Sequence, residues 1–152
     1  MTMQAPNDDY TAFGEPGGFV RRSGPIYIKR DGKVAVSKLL VTREHTNSLG
    51  IASGGLLMML LDITLGVNVS SAVGYAGICP TVQFNCNLVS SAKIGDEIIG
   101  EAHVSQVTRS LAFATAQLSI GGRPAATASG VFKIPSAAHQ SGERTQHNAP
   151  AR

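Results

Sequence analysis

The feature that most constrains the fold is an apolar run, Gly54 to Val67, that contains a single carboxylate, Asp62. Hydrophobic side chains lie on every side of its helical wheel, which is typical of a helix buried in a core. An ionised carboxylate removed from water costs several kcal/mol unless it is paired or hydrogen-bonded. Because titratable groups in unusual surroundings cluster at functional sites, Asp62 is the first candidate for a catalytic residue.

Length and composition fit one globular domain. The chain has 152 residues, 43% of them hydrophobic, and a net charge of +3. Its Lys and Arg residues are scattered rather than concentrated in a basic stripe, so we expect no nucleic-acid binding. The apolar run is too short to span a bilayer, and the N-terminal residues lack the apolar core of a signal peptide. We therefore expect a cytoplasmic protein that does not associate with membranes.

The two ends of the chain differ in composition from its middle. Residues 1–18 contain several Pro, Asp and Gly residues and predict a flexible N-terminal arm. Residues 135–152 are rich in Ala, Ser, Gln, His and Arg without periodicity and predict a flexible C-terminal tail. The domain itself is expected to comprise residues 19–134.

Hydrophobic periodicity within the domain predicts two strands, one long helix and four more strands. The predicted helix covers residues 53–71, with Ser53 as the residue whose hydroxyl caps its first turn. The predicted strands cover residues 26–30, 33–43, 79–89, 96–107, 111–120 and 123–134. The predicted fold class is therefore α+β, an antiparallel sheet wrapped around one long central helix.

The two cysteines, Cys79 and Cys86, lie seven residues apart in the same predicted strand. Their side chains would then point to opposite faces of the sheet and could not form a disulfide with each other. No Cys and His residues have the spacing of metal ligands, so no metal site is predicted. We expect two buried free thiols in a reducing compartment.

The start of the long helix is a candidate site for a ligand. Gly54 and Gly55 carry no side chains there, and the first N–H groups of a helix have no partner within it. Such an end can hold an anion or stabilise the oxygen of a carbonyl under attack, with Asn47 as a second donor. The alternative is that the two glycines serve helix–sheet packing and that Asn47 makes a turn. The sequence leaves both interpretations open.

The distance between the two candidate groups predicts an oligomer. Asp62 lies eight residues beyond Gly54, which is about 12 Å along a helix axis. One chain cannot readily place both groups around a single reacting carbon. If two copies pair with their long helices antiparallel, Gly54 of one chain approaches Asp62 of the other. We therefore expect a homodimer with two shared sites.

A longer motif covers the connection before the helix and the helix itself. It reads His45-x-Asn47-x-x-Gly50-x-x-Ser53-Gly54-Gly55 and continues as Leu61-Asp62-x-Thr64-x-Gly66. The motif resembles that of the hotdog-fold acyl-CoA thioesterases, specifically the phenylacetate-pathway (PaaI-like) branch. The likeness covers about residues 20–134 and extends to Pro80-Thr81-Val82, Ala92-Lys93-Ile94-Gly95-Asp96 and Arg109-Ser110-Leu111-Ala112-Phe113.

This resemblance implies hydrolysis of an acyl-CoA, with a medium-chain or aryl acyl group, at the interface of a homodimer that pairs into a homotetramer. Asp62 would act as general base or as nucleophile, and the Gly54 N–H would polarise the thioester carbonyl. Asn47 would position water or that carbonyl, and Thr81 would assist the water. The residues that would contact the substrate are Ser53, Gly55, Leu61, Arg109 and Ser110. No cofactor is implied, since coenzyme A enters as part of the substrate.

One departure from the family motif bears on activity. Ser53 stands where the family has a His, and the loss of one oxyanion donor costs about 10² to 10³ in rate. Thr64 replaces the usual Ala, which is a smaller change, and His45 is interpreted as structural. A non-catalytic acyl-CoA binding module is therefore the alternative function. The hotdog hydratases rank lower, because the Asp and His pair that they need near the helix start is missing.

Overall fold

The computed structural model describes residues 9–136 and shows one antiparallel sheet of seven strands wrapped around a long helix. The helices are α1 (Phe19–Arg22) and α2 (Gly54–Ala72), and a short 3-10 helix covers Arg43–His45. The strands are β1 (Thr11–Ala12), β2 (Tyr27–Asp31), β3 (Val34–Leu40), β4 (Thr81–Leu88), β5 (Glu97–Val107), β6 (Leu111–Ile120) and β7 (Arg123–Lys133). Their order in the sheet is β1-β2-β3-β5-β6-β7-β4. The predicted fold class is confirmed.

Helix α2 lies on the concave face of the sheet because its apolar side chains need cover on most sides. Its buried residues include Leu57, Leu60, Leu61 and Leu65, which pack against the inward-facing residues of the strands. By length and composition alone the helix could cross a membrane, but most of it is buried inside the protein. Burial of this kind marks the core helix of a folded domain. The expected location in the cytoplasm stays a prediction.

The N-terminal segment is attached to the sheet where the structure describes it. Strand β1 pairs with β2, the Phe13 N–H donates to the Ile26 carbonyl (2.8 Å), and Lys29 forms an ion pair with Asp9 (2.8 Å). Residues 9–18, assigned from sequence to a flexible arm, therefore hydrogen-bond to the domain. Residues 1–8 and 137–152, which include most of the expected tail, lie outside the described residues.

Strand β4 begins two residues later than the sequence predicted, and this changes the interpretation of the cysteines. Cys79 precedes the strand and is buried, whereas Cys86 lies within it and is half-buried. The prediction of one strand with a cysteine on each face is therefore wrong, although both thiols are free. Burial raises the pKa of the Cys79 thiol, and a hydrogen bond with Ser70 opposes that shift in part.

Two polar side chains on the buried side of α2 bind strand β3. The hydroxyls of Thr64 and Ser37 are 2.6 Å apart and hydrogen-bonded, and Thr64 also donates to the Leu60 carbonyl (2.6 Å). One turn further on, the Asn68 amide accepts from the Ala35 N–H (2.9 Å) and donates to the Ala35 carbonyl (2.8 Å). These bonds fix how far the helix is shifted along β3.

Strand β4 lies at the edge of the sheet and leaves apolar surface open. It pairs only with β7, so its other side has no neighbouring strand within residues 9–136. Val82 is 60% exposed, and Leu88 and Val89 are 46% and 57% exposed. An open edge with exposed apolar side chains is a surface on which another strand can pair.

Candidate active site

Asp62 lies on the one face of α2 that the sheet does not cover. Its neighbours on that face are Gly55, Met58, Met59 and Gly66, none of which is buried. Asp62 is half-buried, so the expectation of a carboxylate fully removed from water is wrong for the single chain. A helical wheel that is apolar all round predicted complete cover, whereas one chain covers only part of the helix.

Thr81, the first residue of β4, orients the carboxylate. Its Oγ1 donates a hydrogen bond of 2.8 Å to Asp62 Oδ1. No cation is paired with Asp62 in the described part of the chain, where the ion pairs are Lys29–Asp9 and Lys38–Glu97. The carboxylate is therefore held in one orientation by a neutral donor, with its other oxygen open to a proton donor such as water.

The start of α2 carries two N–H groups that have no acceptor among residues 9–136, those of Gly54 and Gly55. The next two, of Leu56 and Leu57, both donate to the Ser53 carbonyl (3.1 and 3.3 Å). Ser53 occupies the N-cap position, but its hydroxyl caps no backbone N–H, so the expected side-chain cap is wrong. The open pair can donate to an oxygen that carries negative charge.

The two glycines serve different purposes. A Cβ at Gly54 would lie 2.9 Å from Leu88 Cδ1, so this glycine lets the edge strand approach the helix start. A Cβ at Gly55 would come no closer than 3.8 Å to the Ser53 hydroxyl, and Gly55 is exposed. Packing thus explains Gly54, whereas Gly55 leaves the backbone accessible from outside.

Asn47 makes the turn that the alternative interpretation predicted. Its side-chain oxygen accepts from the Leu49 N–H (2.9 Å), and its carbonyl accepts from the Gly50 N–H (3.0 Å). Gly50 completes the turn with a φ of +72°, a conformation that favours glycine. The Asn47 side chain is exposed, and its NH₂ group donates to no acceptor in the described structure, so it can still serve a substrate.

Two clefts flank the start of α2. The first, called the Leu88 cleft, lies on the Gly54 side and has a volume of about 280 Å³. Its lining includes Asn47, Ile51, Gly54, Leu57, Leu88 and Ser90. The second, called the Phe19 cleft, lies on the Gly55 side and has a volume of about 270 Å³. Its lining includes Phe19, Arg22, Glu44, Gly55, Leu56 and Met59.

The sequence interpretation missed residues on both clefts. Leu88 had a detectable signal, because it ends the alternating apolar face of the predicted strand that packs on the helix. Phe19 and Arg22 had none, since a helix of four residues inside a glycine-rich segment leaves no periodic pattern.

Three residues expected to contact the substrate lie apart from the helix start. Leu61 is 0% exposed and packs in the core of this chain, and its expected contact with the substrate stays a prediction. Arg109 and Ser110 lie in the exposed turn between β5 and β6. The Ser110 carbonyl accepts from the Ile134 N–H (2.8 Å), which places the turn at the end of the sheet where β4 begins.

His45 has the structural role that the sequence predicted. Its Nδ1 accepts from the Thr42 N–H (3.0 Å), and its Nε2 lies 3.4 Å from the Gly24 carbonyl oxygen. Because the ring is buried and both nitrogens are engaged, His45 connects the loop before α2 to the N-terminal segment.

Comparisons with known proteins agree with this architecture. The sequence profile of the Thioesterase superfamily matches residues 49–126. A Pseudomonas aeruginosa protein named as a candidate esterase is 33% identical over 113 residues, which cover 74% of this chain and 84% of that protein. Human acyl-coenzyme A thioesterase 13 is 35% identical over 89 residues, which cover 58% of this chain and 61% of the human protein.

A solved structure shows the same fold. A phenylacetic acid degradation-related protein of Ralstonia eutropha superposes with a TM-score of 0.69 and 22% identity, covering 79% of this chain and 92% of that one. The profile match covers both the Gly54–Gly55 helix start and the Asp62–Thr81 pair. The chain therefore belongs to the thioesterase superfamily and has the PaaI-like hotdog fold that its sequence motif indicated.

Proposed function

We propose that this thioesterase hydrolyses an acyl-CoA to the free acid and coenzyme A, with Asp62 as the catalytic carboxylate. The observation that carries the proposal is the 2.8 Å hydrogen bond from Thr81 to Asp62 on the open face of α2. A carboxylate that is oriented, accessible and free of any paired cation can take a proton from water or attack a carbonyl carbon itself. The human relative named an acyl-coenzyme A thioesterase supports this choice of substrate.

The proposed site is shared between two chains. Gly54 and Asp62 are separated by about 12 Å along one helix, which is too far for both to act on one thioester carbon. Strand β4 and the Asp62 face of α2 are both open in the single chain and carry exposed apolar residues such as Val82 and Met58. Pairing along β4 with antiparallel helices covers that surface and brings Gly54 of one chain to Asp62 of the other. Two such homodimers form the homotetramer that the family resemblance implies.

In the proposed reaction, Asp62 takes a proton from a water molecule whose oxygen attacks the thioester carbonyl carbon. The N–H of Gly54 donates to the carbonyl oxygen as it becomes negative, with Asn47 as a second donor. The C–S bond then breaks, and the coenzyme A thiolate leaves and takes up the proton that Asp62 removed from the water. Direct attack by Asp62, followed by hydrolysis of the resulting anhydride, is the alternative route.

The acyl group is proposed to be of medium length or aromatic. The Phe19 cleft begins at Gly55 and continues along Leu56, Met59 and Phe19, which supply apolar contacts. Its volume of about 270 Å³ exceeds the ~150 Å³ cavity that holds benzene in another protein. Ser53, beside Gly55, is shorter than the family His and leaves additional room there.

A thiol-release assay tests the proposal. Phenylacetyl-CoA and acyl-CoAs of increasing chain length are supplied, and free coenzyme A is measured with a thiol reagent. We expect turnover with at least one of them and a loss of about 10³-fold or more in kcat for Asp62→Asn with an unchanged circular dichroism spectrum. Asp31→Asn serves as the control for the loss of an exposed carboxylate, because Asp31 ends β2 at the other end of the sheet from the start of α2.

A non-catalytic acyl-CoA binding module is the second candidate, and Ser53 in place of the family His favours it. This function predicts micromolar binding of acyl-CoA without release of the thiol, and binding that Asp62→Asn leaves intact. Turnover that depends on Asp62 excludes it. An active enzyme in which Asp62→Asn retains full kcat would instead contradict the catalytic assignment.

A further inference from the structure

Two exposed cations that the proposed reaction does not use, Lys93 and Arg123, each neighbour residues that line the Leu88 cleft. Both lie at the end of the sheet where α2 begins. Lys93 pairs with Ile51, which lines the cleft. Arg123 contacts Ser90 and Ser91, which also line it.

Arg123 is held against the cleft by neutral partners. Its guanidinium donates to the Ser90 hydroxyl and to the Ser91 carbonyl oxygen, the latter at 3.4 Å. Ser90 in turn donates to the Pro124 carbonyl (2.7 Å). No carboxylate neutralises Arg123 in the part of the chain that is described, so its positive charge stays available to a ligand.

Lys93 is likewise free of a counter-ion within residues 9–136. The closest carboxylate in the chain, Asp96, accepts a hydrogen bond from the backbone N–H of Lys93 (2.7 Å) and so serves the turn. The next one, Glu97, forms an ion pair with Lys38 (2.7 Å). The two cations therefore form a positive rim on an otherwise neutral cleft.

The distance from Gly54 at the helix start to the Lys93 side chain suits an extended ligand. Ile51 lies three positions before Gly54, so their Cα atoms are at most about 10 Å apart. A paired strand adds about 5 Å, and the Lys93 side chain extends beyond it. Between the ends, Ile51, Leu57 and Leu88 give the cleft a mostly apolar wall.

We infer that Lys93 and Arg123 bind the phosphate groups of the coenzyme A portion of the substrate, and that the Leu88 cleft holds the pantetheine arm between them and the thioester. This inference rests on the proposed function. Phosphates are the anionic groups of an acyl-CoA, and the pantetheine chain separates them from the thioester. The acyl chain then extends from the thioester carbonyl in the opposite direction, into the Phe19 cleft.

Two thioesters with the same acyl group distinguish phosphate binding by Lys93 and Arg123 from a general effect on the cleft. One is the acyl-CoA, and the other is the N-acetylcysteamine thioester, which has no phosphates. Steady-state KM is measured for Lys93→Gln, Arg123→Gln and the double variant, with Lys33→Gln as the matched control. Lys33 is an exposed cation in the turn between β2 and β3, at the other end of the sheet.

We expect each single variant to raise KM for the acyl-CoA by about two- to fivefold and the double variant by more, because exposed charge pairs contribute modestly. KM for the N-acetylcysteamine thioester and all values for Lys33→Gln should stay unchanged. An unchanged KM for the acyl-CoA in the double variant would overturn the inference. An equal rise for both thioesters would also overturn it, since it would show a distorted cleft.

Binding of coenzyme A alone, measured by titration calorimetry, keeps this test independent of catalysis. If no thioester is hydrolysed, the proposed function fails, but weaker coenzyme A binding by Lys93→Gln still supports the phosphate site. Equal coenzyme A affinity in the wild type and the double variant contradicts the phosphate site whether or not the protein is an active hydrolase.

Discussion

The Thr81 hydroxyl lies 2.8 Å from Asp62 Oδ1 and joins the first residue of an edge strand to the middle of the central helix. The same two elements also meet where Leu88 of β4 approaches Gly54 of α2. The bond from Thr81 leaves the second carboxylate oxygen free. The orientation of the Asp62 carboxylate thus depends on where strand β4 begins.

Removing this hydroxyl should lower the rate more than it affects folding. Thr81→Val keeps the shape of the side chain but loses the donor, so kcat should fall by about tenfold, as expected for a hydrogen bond to a charged group. Thr81→Ser should retain most of the activity. Thr115→Val, at an exposed position of β6, is the control. Equal kcat for wild type and Thr81→Val would remove Thr81 from the mechanism.

A methyl group at Gly54 should displace Leu88. The added Cβ would lie 2.9 Å from Leu88 Cδ1, the end of a half-exposed side chain that can move. We expect Gly54→Ala to change the free energy of unfolding by less than about 1 kcal/mol, since the gain in helix propensity offsets the crowding. Activity should fall because Leu88 shifts into its cleft, and Leu88→Ala should restore part of it.

Gly55→Ala is the matched control for this prediction. Its Cβ would meet nothing closer than the Ser53 hydroxyl at 3.8 Å, so Leu88 should stay in place. Comparable activity of Leu88→Ala alone and Gly54→Ala/Leu88→Ala would show that the lost space caused the defect. No rescue in the double variant would point to the Gly54 backbone instead.

The buried hydroxyl pair between Ser37 and Thr64 should show strong coupling. Thr64→Val leaves the Ser37 hydroxyl with one distant acceptor, the Gly100 carbonyl at 3.5 Å, and should destabilise the protein by about 1–3 kcal/mol. Adding Ser37→Ala removes the unpaired group and should recover part of that loss. The free energies of unfolding of the wild type, the two single variants and the double variant form a double-mutant cycle, measured by denaturant unfolding at one fixed protein concentration. Additive effects would contradict the coupling.

A charge on the open edge of β4 should separate the subunits. Val82 is 60% exposed, so Val82→Arg should leave the chain folded while it prevents edge pairing. We expect half the native mass by light scattering and a loss of hydrolysis. Val34→Arg is the control, because Val34 is 57% exposed on a different strand. A fully active monomer would contradict the shared site.

The sequence predicted the long helix and six of the seven strands, because those segments have clear hydrophobic periodicity, whereas β1 has only two residues and lies in the segment predicted to be a flexible arm. The helix covers Gly54–Ala72 against a prediction of 53–71, and the family motif selected the carboxylate and hydroxyl that the structure brings together. Contacts between segments that are distant in the sequence produce neither a periodic pattern nor a motif. The Thr64–Ser37 pair depends on how far α2 is shifted along β3, which local patterns do not encode.

The exposure of Asp62 could not be predicted from one chain for a related reason. Under the proposed assembly, part of the apolar surface of α2 is covered by the second polypeptide, and the helical wheel does not distinguish that cover from cover by the same chain. In the same way, Ser53 has a residue type favoured at caps but makes no cap bond, because residue preference does not determine where a hydroxyl points.

Under the proposed assembly, the spacing of Gly54 and Asp62 along α2 predicts complementation between variant subunits. Each active site takes its carboxylate, Asp62, from one subunit and its backbone N–H donors from the other. Two inactive variants, one substituted at Gly54 and the other at Asp62, can therefore restore activity when their subunits are mixed. Such a hybrid contains one intact centre and one with both defects.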